Sequence, residues 1–369
     1  VGNGAITVFT ATKTERSLSN IAVPVQIISQ KTIQQAGSLR LSDILSEQTG
    51  LFMTNGFGTG VSMQGLNPDY TLILIDGEPL IGRTSGVLDL KRITVGNIKQ
   101  IEIVRGPSSS LYGSEAMAGV INIITKQPNN NVTGSGEVIV GNYGIRRYNA
   151  NIKSPIIKDK LFFGASILSN KRDGFYTNDF TQTSYDNQNG FSGNYFLKYI
   201  VSSRWDINLN FKHLANKNQG PFPLVFGTEE ALNNPYRLNQ NSITTMKDKT
   251  SNSSLTIRYT GSGFNFSSQT AYQQNYRYYT NPIDGDFSPI DAISVINNYG
   301  SKWNNNKVLT QDFKFTSAPS SNSKLKWTAG AFLFYQDAPV KQATRFGIDA
   351  NLMMIGDSLF SIINTSTTL

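Results

Sequence analysis

The residues of this sequence that can do chemistry are arginines set close to aromatic rings and glycines. Arg277 follows directly on Tyr276, and Arg83 lies in the turn-rich segment PLIGRTSG. An arginine offers a fixed charge and paired hydrogen-bond donors to an anionic ligand. An aromatic ring such as Phe57, in the glycine-rich segment NGFGTG, can stack on a ligand. The chemistry that these residues indicate is binding.

No residue pattern indicates catalysis. The sequence contains no cysteine, which removes disulfide frameworks, thiolate metal sites and cysteine nucleophiles together. Neither a Ser-His-Asp set nor metal-ligand spacing appears, and the glycine-rich residues 56–60 do not open a nucleotide-binding helix. We therefore expect no enzyme activity, no catalytic residues, no metal site and no cofactor.

Composition restricts the class of protein. Hydrophobic residues make up 38% of the chain and the mean hydropathy is −0.27, and no stretch approaches the ~18 consecutive apolar residues of a membrane helix. These values exclude a helical membrane protein, but a transmembrane β-barrel has the same low average because half of its residues face away from lipid. The net charge of +8 comes from scattered basic residues, so nucleic acid is not an expected partner.

The first 130 residues or so combine short β-runs, turn signals and one predicted helix. The helix is expected over residues 42–48, with Ser42 as its N-cap and Gly50 after its end. Residues 71–75 (TLILI) form a continuous apolar run that a turn closes, and residues 101–104 and 120–125 are two further predicted strands. The pattern predicts a compact α+β domain.

From about residue 134 the pattern changes to strands with one apolar face. In residues 205–212 (WDINLNFK), alternate residues are apolar, and the residues between them are polar. After the first hairpin the connections alternate between short and long, which is typical of outer-membrane barrels. The sequence predicts about nine strands, at residues 134–141, 145–154, 160–170, 190–201, 204–214, 252–260, 263–278, 307–317 and 324–336.

A soluble β-sandwich with aromatic core residues is the alternative to a barrel. The face opposite Trp205 is too polar for a closed core, since it carries Asp206, Asn208, Asn210 and Lys212. A barrel with a polar lumen is therefore favoured. Residues 337–369 are predicted as a long loop with no closing strand. An open sheet edge in lipid costs several kcal/mol for each unpaired backbone group, so the chain is expected to be part of a longer protein.

Two segments of the first half resemble a known family. Residues 69–82 read DYTLILIDGEPLIG and residues 98–126 read IKQIEIVRGPSSSLYGSEAMAGVINIITK. They resemble the plug-domain signatures of TonB-dependent outer-membrane receptors, with Ala118 where a glycine is common and Thr49 where proline is usual. The resemblance covers about residues 5–127. It implies an α+β plug domain followed by a transmembrane antiparallel β-barrel, which has roughly 22 strands when complete.

The resemblance assigns roles to particular residues. Arg105, with Glu102 near the same strand end, is implied as part of an ionic lock between plug and barrel wall. The segment Ile6, Thr7, Val8, Phe9, Thr10 and Ala11 resembles the TonB box, which pairs edge to edge with the periplasmic protein TonB. Many relatives have a second arginine where this chain has Gln64.

Ligand contacts are expected at the plug apices and at the outer ends of barrel strands. Phe57 and Arg83 are the candidate apex residues, and Tyr276, Arg277 and Tyr278 are the barrel candidates. Tyrosines with arginine suit a catecholate ferric chelate, but they equally suit an interfacial girdle that anchors lipopolysaccharide. His213 is the one histidine of the sequence, and it continues the lipid-facing register of its strand. Because this places no histidine where it could hold a haem, haem is the less favoured ligand.

The function implied is TonB-dependent active import of a bulky scarce nutrient across the outer membrane of a Gram-negative bacterium, with a ferric siderophore favoured. A cobalamin or haem receptor of the same family is the alternative, and a passive porin or surface adhesin is the alternative from another class. The expected partners are TonB, the chelate, outer-membrane lipids including lipopolysaccharide, and colicins or phages. The expected domains are a TonB-box-like segment at 1–12, the plug at 13–130 and the first part of the barrel at 131–369.

Overall fold

The computed structural model separates the chain into two compact units, Val1–Pro128 and Asn129–Leu369. Each unit is described by itself. The structure describes residues 7–11, 16–21, 23–36, 40–56, 58–80, 83, 87–90, 93, 95, 98–126, 129–225, 227–318, 325, 327–353 and 361–368.

The first unit combines short strands with short helices. Its helices are α1 (Gln30–Gln35), α2 (Leu41–Ser46) and α3 (Ser109–Tyr112), with 3₁₀ turns at Leu18–Asn20, Pro68–Tyr70 and Ser114–Ala116. Its strands are β1 (Thr7–Val8), β2 (Arg16–Ser17), β3 (Val25–Ser29), β4 (Leu51–Gly56), β5 (Gly58–Met63), β6 (Thr71–Ile75), β7 (Glu78–Pro79), β8 (Ile98–Arg105) and β9 (Gly119–Thr125). The predicted helix is present as α2 and the three predicted strands are present. The predicted N-cap was wrong, because Arg40 precedes the helix and Ser42 is a buried residue within it.

A five-stranded mixed sheet in the order β3-β8-β9-β6-β7 forms the centre of this unit. Strands β6 and β9 run parallel and are buried almost throughout, which explains why both read as continuous apolar runs. Helix α2 packs Leu41, Ile44 and Leu45 into the same core. Gly119 opens β9 at φ +154°, where an added Cβ would lie 2.4 Å from the carbonyl oxygen of Val104, so this position requires glycine.

The second unit is built from long strands. They are β10 (Thr133–Gly141), β11 (Ile145–Ile157), β12 (Leu161–Arg172), β13 (Tyr176–Asn178), β14 (Thr183–Tyr185), β15 (Asn187–Ile200), β16 (Trp205–Gln219), β17 (Arg237–Leu238), β18 (Thr245–Thr260), β19 (Phe264–Tyr279), β20 (Ile283–Asp284), β21 (Ile293–Ile296), β22 (Asn305–Ser317), β23 (Thr328–Phe346) and β24 (Ser361–Thr368). Helix α4 (Thr228–Asn233) and a 3₁₀ turn (Ala350–Met353) lie in the long connections.

Twelve of these strands form one antiparallel sheet. Its order is β10-β11-β12-β15-β16-β18-β19-β22-β23-β21-β20, with β24 added beside β23. Its nine long strands correspond to the nine predicted segments and pair in chain order. The predicted fold class, an α+β unit followed by a large antiparallel sheet, is therefore confirmed. Among the described residues, no helix is both long and apolar enough to cross a membrane.

Several strands are longer than predicted, and the longest extensions lie at the ends that meet the long connections. Strand β16 continues to Gln219, and β18 already begins at Thr245, where Gln219 and Thr245 are register partners. These extensions are polar on both faces, so the alternation that identifies a strand is lost although backbone pairing continues. The prediction that residues 337–369 form a loop was wrong, because β23 runs to Phe346 and β24 pairs with it.

The two faces of the large sheet differ in an unusual way. We call the face of Trp205, Leu209 and Phe211 the apolar face and the other the polar face. Register partners share a face, and one row across the apolar face is Phe211, Ser253, Tyr272 and Leu309. Leu209 is 48% exposed, whereas Gln273 on the polar face is 1% exposed. The apolar face is exposed and much of the polar face is buried, the inverse of a soluble protein.

Candidate functional site

The N-terminal segment, residues 7–11, is held in the first unit by one carboxylate. Oε2 of Glu102 accepts hydrogen bonds from the backbone nitrogen of Phe9 at 3.0 Å, from that of Thr10 at 2.8 Å and from the Thr10 hydroxyl at 2.5 Å. Thr10 and Glu102 are each 1% exposed. The segment is therefore anchored in part through a buried polar contact.

Neighbouring side chains complete this polar contact. Asn122 donates to the Thr10 hydroxyl at 3.0 Å, and the hydroxyl of Tyr112 donates to the Thr10 carbonyl at 2.9 Å. Gln100 donates both to the carbonyl of Thr7 at 3.1 Å and to Oε1 of Glu102 at 2.7 Å. We call Thr10, Glu102, Tyr112 and Asn122 the anchor cluster.

The sheet explains why these groups meet. Glu102 and Asn122 are direct cross-strand partners on β8 and β9, so both side chains leave the same face of the sheet. Buried polar groups in two otherwise apolar strands need hydrogen-bond partners, and the N-terminal segment supplies them. The sequence shows Glu102 and Asn122 as interruptions of apolar runs, which is the signal that could have identified this site.

The residues of the predicted TonB box are placed as follows. Ile6 lies outside the described residues. Thr7 and Val8 form β1, which pairs antiparallel with β2, and Val8 is buried. Phe9 and Thr10 contact Glu102, and Ala11 packs against the small apolar cluster that includes Leu72 and Val120. Thr7 and Val8 are thus extended, whereas Thr10 and Ala11 lie in a turn, and the side chains of Val8, Thr10 and Ala11 are engaged by the first unit.

Arg105 and Glu102 do not act together in the first unit. The guanidinium of Arg105 donates through Nη2 to the side chain of Gln26 and to the carbonyl of Thr49. The carboxylate of Glu102 is instead occupied by the N-terminal segment. The observed contacts therefore give Glu102 a role that the sequence did not indicate. The plug–barrel lock stays a prediction.

Arg83 is more enclosed than an apex residue is expected to be. Its terminal nitrogens donate to the carbonyls of Pro68 and Thr71, each at 2.9 Å, and Nη2 lies 3.7 Å from a carboxylate oxygen of Glu115. Burial lowers the pKa of Arg83, and the neighbouring carboxylate of Glu115 acts in the opposite direction. A ligand would have to compete with these bonds. Phe57, the other apex candidate, lies outside the described residues, between strands β4 and β5.

The three barrel candidates lie on two different faces. Tyr276 and Tyr278 are on the apolar face, where their rings stack with centroids 4.7 Å apart. Arg277 is on the polar face, opposite the fully buried Asp248. Strand alternation therefore separates the arginine from the tyrosines, and a single ligand on one face cannot contact all three side chains.

An aromatic cluster that the sequence analysis missed lies at the long-connection end of the second unit. Its ring centroids are 4.5 Å apart for Phe175 and Tyr176, 5.6 Å for Tyr143 and Phe175, and 5.8 Å for Tyr176 and Tyr236. The guanidinium of Arg172 lies 4.8 Å from the ring centroid of Phe175. Burial raises the pKa of Tyr176. The rings come from three connections, so no local pattern indicates the cluster.

The long connections are tied to one another by buried polar groups. Tyr185 donates to the side chain of Gln240 at 2.6 Å, and Asn178 donates to the backbone carbonyl of Gln240 at 2.9 Å. Asp284 accepts from the backbone nitrogens of Asn241 at 3.2 Å and Phe287 at 2.7 Å. Burial, with the neighbouring charge of Asp286, raises the pKa of Asp284 to about 7. This end of the sheet is thus an ordered assembly of loops.

Comparisons with known proteins match both units. The model of the TonB-dependent receptor plug domain matches residues 17–120. The vitamin B12 transporter BtuB of Vibrio cholerae is 37% identical over 123 residues, which are 32% of this chain and 20% of the transporter. Among solved structures, the ferric yersiniabactin uptake receptor FyuA of Yersinia pestis is 18% identical with a TM-score of 0.73, over 88% of this chain and 50% of that receptor.

A second solved receptor has the same fold. The FpvA receptor of P. aeruginosa, bound to a heterologous pyoverdine and iron, is 12% identical with a TM-score of 0.72, over 92% of this chain and 45% of the receptor. Residues 17–120 thus match the plug domain of TonB-dependent receptors, and the chain shares the fold of these two solved receptors, with the plug domain first and a large antiparallel sheet after it. It spans about half the length of these two receptors.

Proposed function

We propose that this chain belongs to a receptor that imports a ferric siderophore across the outer membrane of a Gram-negative bacterium, driven by TonB. The observation that carries the proposal is the way the N-terminal segment is held. It begins as the short strand β1, and the two residues that follow are fixed to Glu102 of the sheet by backbone and hydroxyl hydrogen bonds. Such a segment can be exchanged for a partner that adds a strand, because the partner replaces backbone hydrogen bonds with equivalent ones.

The exposed apolar face supports placement in a membrane. Exposed leucine, phenylalanine and tyrosine side chains along neighbouring strands are costly in water, whereas in lipid they are stabilising. The strands carry their polar residues on the opposite face, which in this proposal lines the lumen. A passive porin shares this pattern, but it has no use for an anchored N-terminal segment.

In this proposal the anchor cluster determines how much free energy is needed to release the N-terminal segment. Three hydrogen bonds to one carboxylate are each worth about 1.5–3 kcal/mol when made and cost a similar amount when the carboxylate is left buried without them. This stabilisation is large enough to keep the segment bound to the sheet and small enough for the hydrogen bonds of a bound partner to replace it. In the proposed mechanism, ligand binding at the long-connection end favours release of the segment, and TonB then binds it.

The aromatic cluster of Tyr143, Phe175, Tyr176 and Tyr236, with Arg172 beside it, is the proposed ligand contact in the second unit. Rings and a guanidinium together suit an aromatic, anionic chelate, which would have to compete with the ion pair between Arg172 and Asp186. The second candidate ligand is cobalamin, which is favoured by the 37% identity over 123 residues to a vitamin B12 transporter. The domain limits expected from the sequence, 1–12, 13–130 and 131–369, remain our proposal, as do the roles of Phe57, Arg83 and Arg105.

Deletion of residues 6–11 from the full-length receptor tests this function. We expect binding of a ferric chelate to purified receptor to be kept and uptake into iron-starved cells to be lost. Uptake of radiolabelled chelate and growth on that chelate as the sole iron source are the measurements, with cobalamin uptake run in parallel. Uptake that persists without the segment would exclude TonB-coupled import. Binding of cobalamin alone would replace the siderophore by the second candidate.

A further inference from the structure

A row of basic residues crosses the apolar face of the large sheet. Register partners on six adjacent strands place Arg146, Lys171, Asn189, Lys217, Lys247 and Tyr278 side by side. All six share the face of Trp205 and Leu209. Lys249 lies one step away on the same face, opposite Tyr276. We call Arg146, Lys171, Lys217, Lys247 and Lys249 the basic row.

The basic row is costly for the protein alone. Lys217 and Lys247 are directly opposite each other on paired strands, about 5 Å apart by strand spacing, and like charges in that position repel. No carboxylate occupies the row or the row below it, which runs Tyr148, Ser169, Phe191, Ala215, Lys249 and Tyr276. Among the described residues, Lys217, Lys247 and Lys249 form no ion pair; the ammonium of Lys247 lies 6.0 Å from the ring centroid of Tyr278.

The position of the row along the strands fits the surface of a membrane. Trp205 and Tyr259 are register partners at the short-turn end, with ring centroids 4.9 Å apart. Lys217 and Lys247 each lie twelve residues further along the same two strands, which is about 40 Å along a strand. With a strand tilt of 35–45° that distance is about 30 Å across the membrane, just beyond an apolar band of roughly 25 Å.

We propose that the basic row binds the phosphate groups of a phosphorylated glycolipid in the outer leaflet, the anchor of lipopolysaccharide. The inference rests on the proposed outer-membrane placement. Lysines on the lipid-facing surface, at headgroup height and without acidic neighbours in the sheet, complement closely spaced phosphates. The stacked pair of Tyr276 and Tyr278 lies beside them, with the amphipathic character of an interfacial aromatic group. This arrangement assigns the two tyrosines to a lipid contact and separates them from Arg277 on the polar face.

The test compares two charge-matched triple variants of the full-length receptor. The variant K217Q/K247Q/K249Q removes the centre of the basic row. The control K158Q/K160Q/R204Q removes three cations from short turns at the other end of the strands. Binding is measured by native mass spectrometry in detergent, with bis-phosphorylated lipid A, the same glycolipid without phosphates, and inorganic phosphate as a competitor.

We expect wild-type receptor and control variant to bind bis-phosphorylated lipid A with equal affinity, and the basic-row variant to bind it roughly 100-fold more weakly, from about fivefold for each lysine near a headgroup surface. The inference is overturned if both triple variants bind like wild type, if removing the phosphates changes nothing, or if millimolar inorganic phosphate displaces the glycolipid completely. If the receptor fails to insert into bilayers, the proposed membrane placement is refuted. If it inserts but does not bind the glycolipid through its phosphates, only the present inference is refuted.

Discussion

Replacing Glu102 by glutamine is the sharpest perturbation of the anchor cluster. The substitution keeps the shape of the side chain and removes the charge that accepts from Phe9 and Thr10. A hydrogen bond to a charged acceptor is worth roughly 1 kcal/mol more than one to a neutral acceptor, so three such bonds lose about 3 kcal/mol. Release of the N-terminal segment should therefore become about 100-fold more frequent.

The absence of cysteine from the sequence makes this measurable. A single cysteine at position 8 replaces a valine that is 1% exposed, so a maleimide can react with it only when the segment is released. We expect V8C/E102Q to react about 100-fold faster than V8C. A control variant, V8C/E47Q, loses an exposed carboxylate of the same unit and should react at the rate of V8C.

A reporter in the core separates local release from unfolding. Ala118 is fully buried in the main core cluster of the first unit, and A118C should stay unreactive in the E102Q background. Equal labelling of V8C with and without E102Q would refute the assignment of Glu102 as the anchor. Faster labelling at position 118 as well would show that the substitution unfolds the unit instead of releasing the segment.

The remaining predictions concern the rest of the fold. Gly119→Ala should destabilise the first unit by more than about 2 kcal/mol, because the added Cβ would lie 2.4 Å from a backbone oxygen. Thermal unfolding measures this loss of stability. Gly65→Ala is the control, since a Cβ at position 65 would meet no atom within 4 Å. Leu209→Arg on the apolar face should destabilise the membrane-inserted sheet by about 2–4 kcal/mol. Asn208→Arg, on the polar face, is the control and should not destabilise it. Urea unfolding in bilayers measures both free energies. Since the folded-state pKa of Asp284 is raised to about 7, its contribution to stability is complete below pH 4 and is lost as pH rises to 7. The hydrogen-exchange protection factors of residues 280–296, corrected for the pH dependence of intrinsic exchange, should fall over that range, and a flat profile of these factors would contradict the prediction.

The sequence predicts the strands of this protein where one face is apolar and the other polar. Residues 205–212 alternate cleanly, and the structure places them in β16 on the two faces expected. The extension to Gln219 was missed because residues 215–219 (ANKNQ) carry no alternation of apolar and polar side chains. Strand β23 continues through Pro339, a residue that ordinarily argues against a strand interior.

The candidate site was less predictable because its contacts are distant in sequence. Glu102 was visible as a charge in an apolar strand, but its partner Thr10 lies 92 residues away and nothing local indicates the pairing. Arg83 was expected to face a ligand, and its bonds to Pro68 and Thr71 depend on how two loops fold back. Tyr276 and Tyr278 could have been separated from Arg277 by strand alternation alone.

The central claim is that the exposed apolar face of the large sheet contacts lipid while its polar face does not. A nitroxide placed in turn at residues 206–211, in receptor reconstituted into bilayers, measures this directly through collision with oxygen and with a water-soluble nickel complex. Residues 207, 209 and 211 should favour oxygen, and residues 206, 208 and 210 should not. Accessibility that fails to alternate along these six positions, or that favours the nickel complex at residues 207, 209 and 211, would contradict the account.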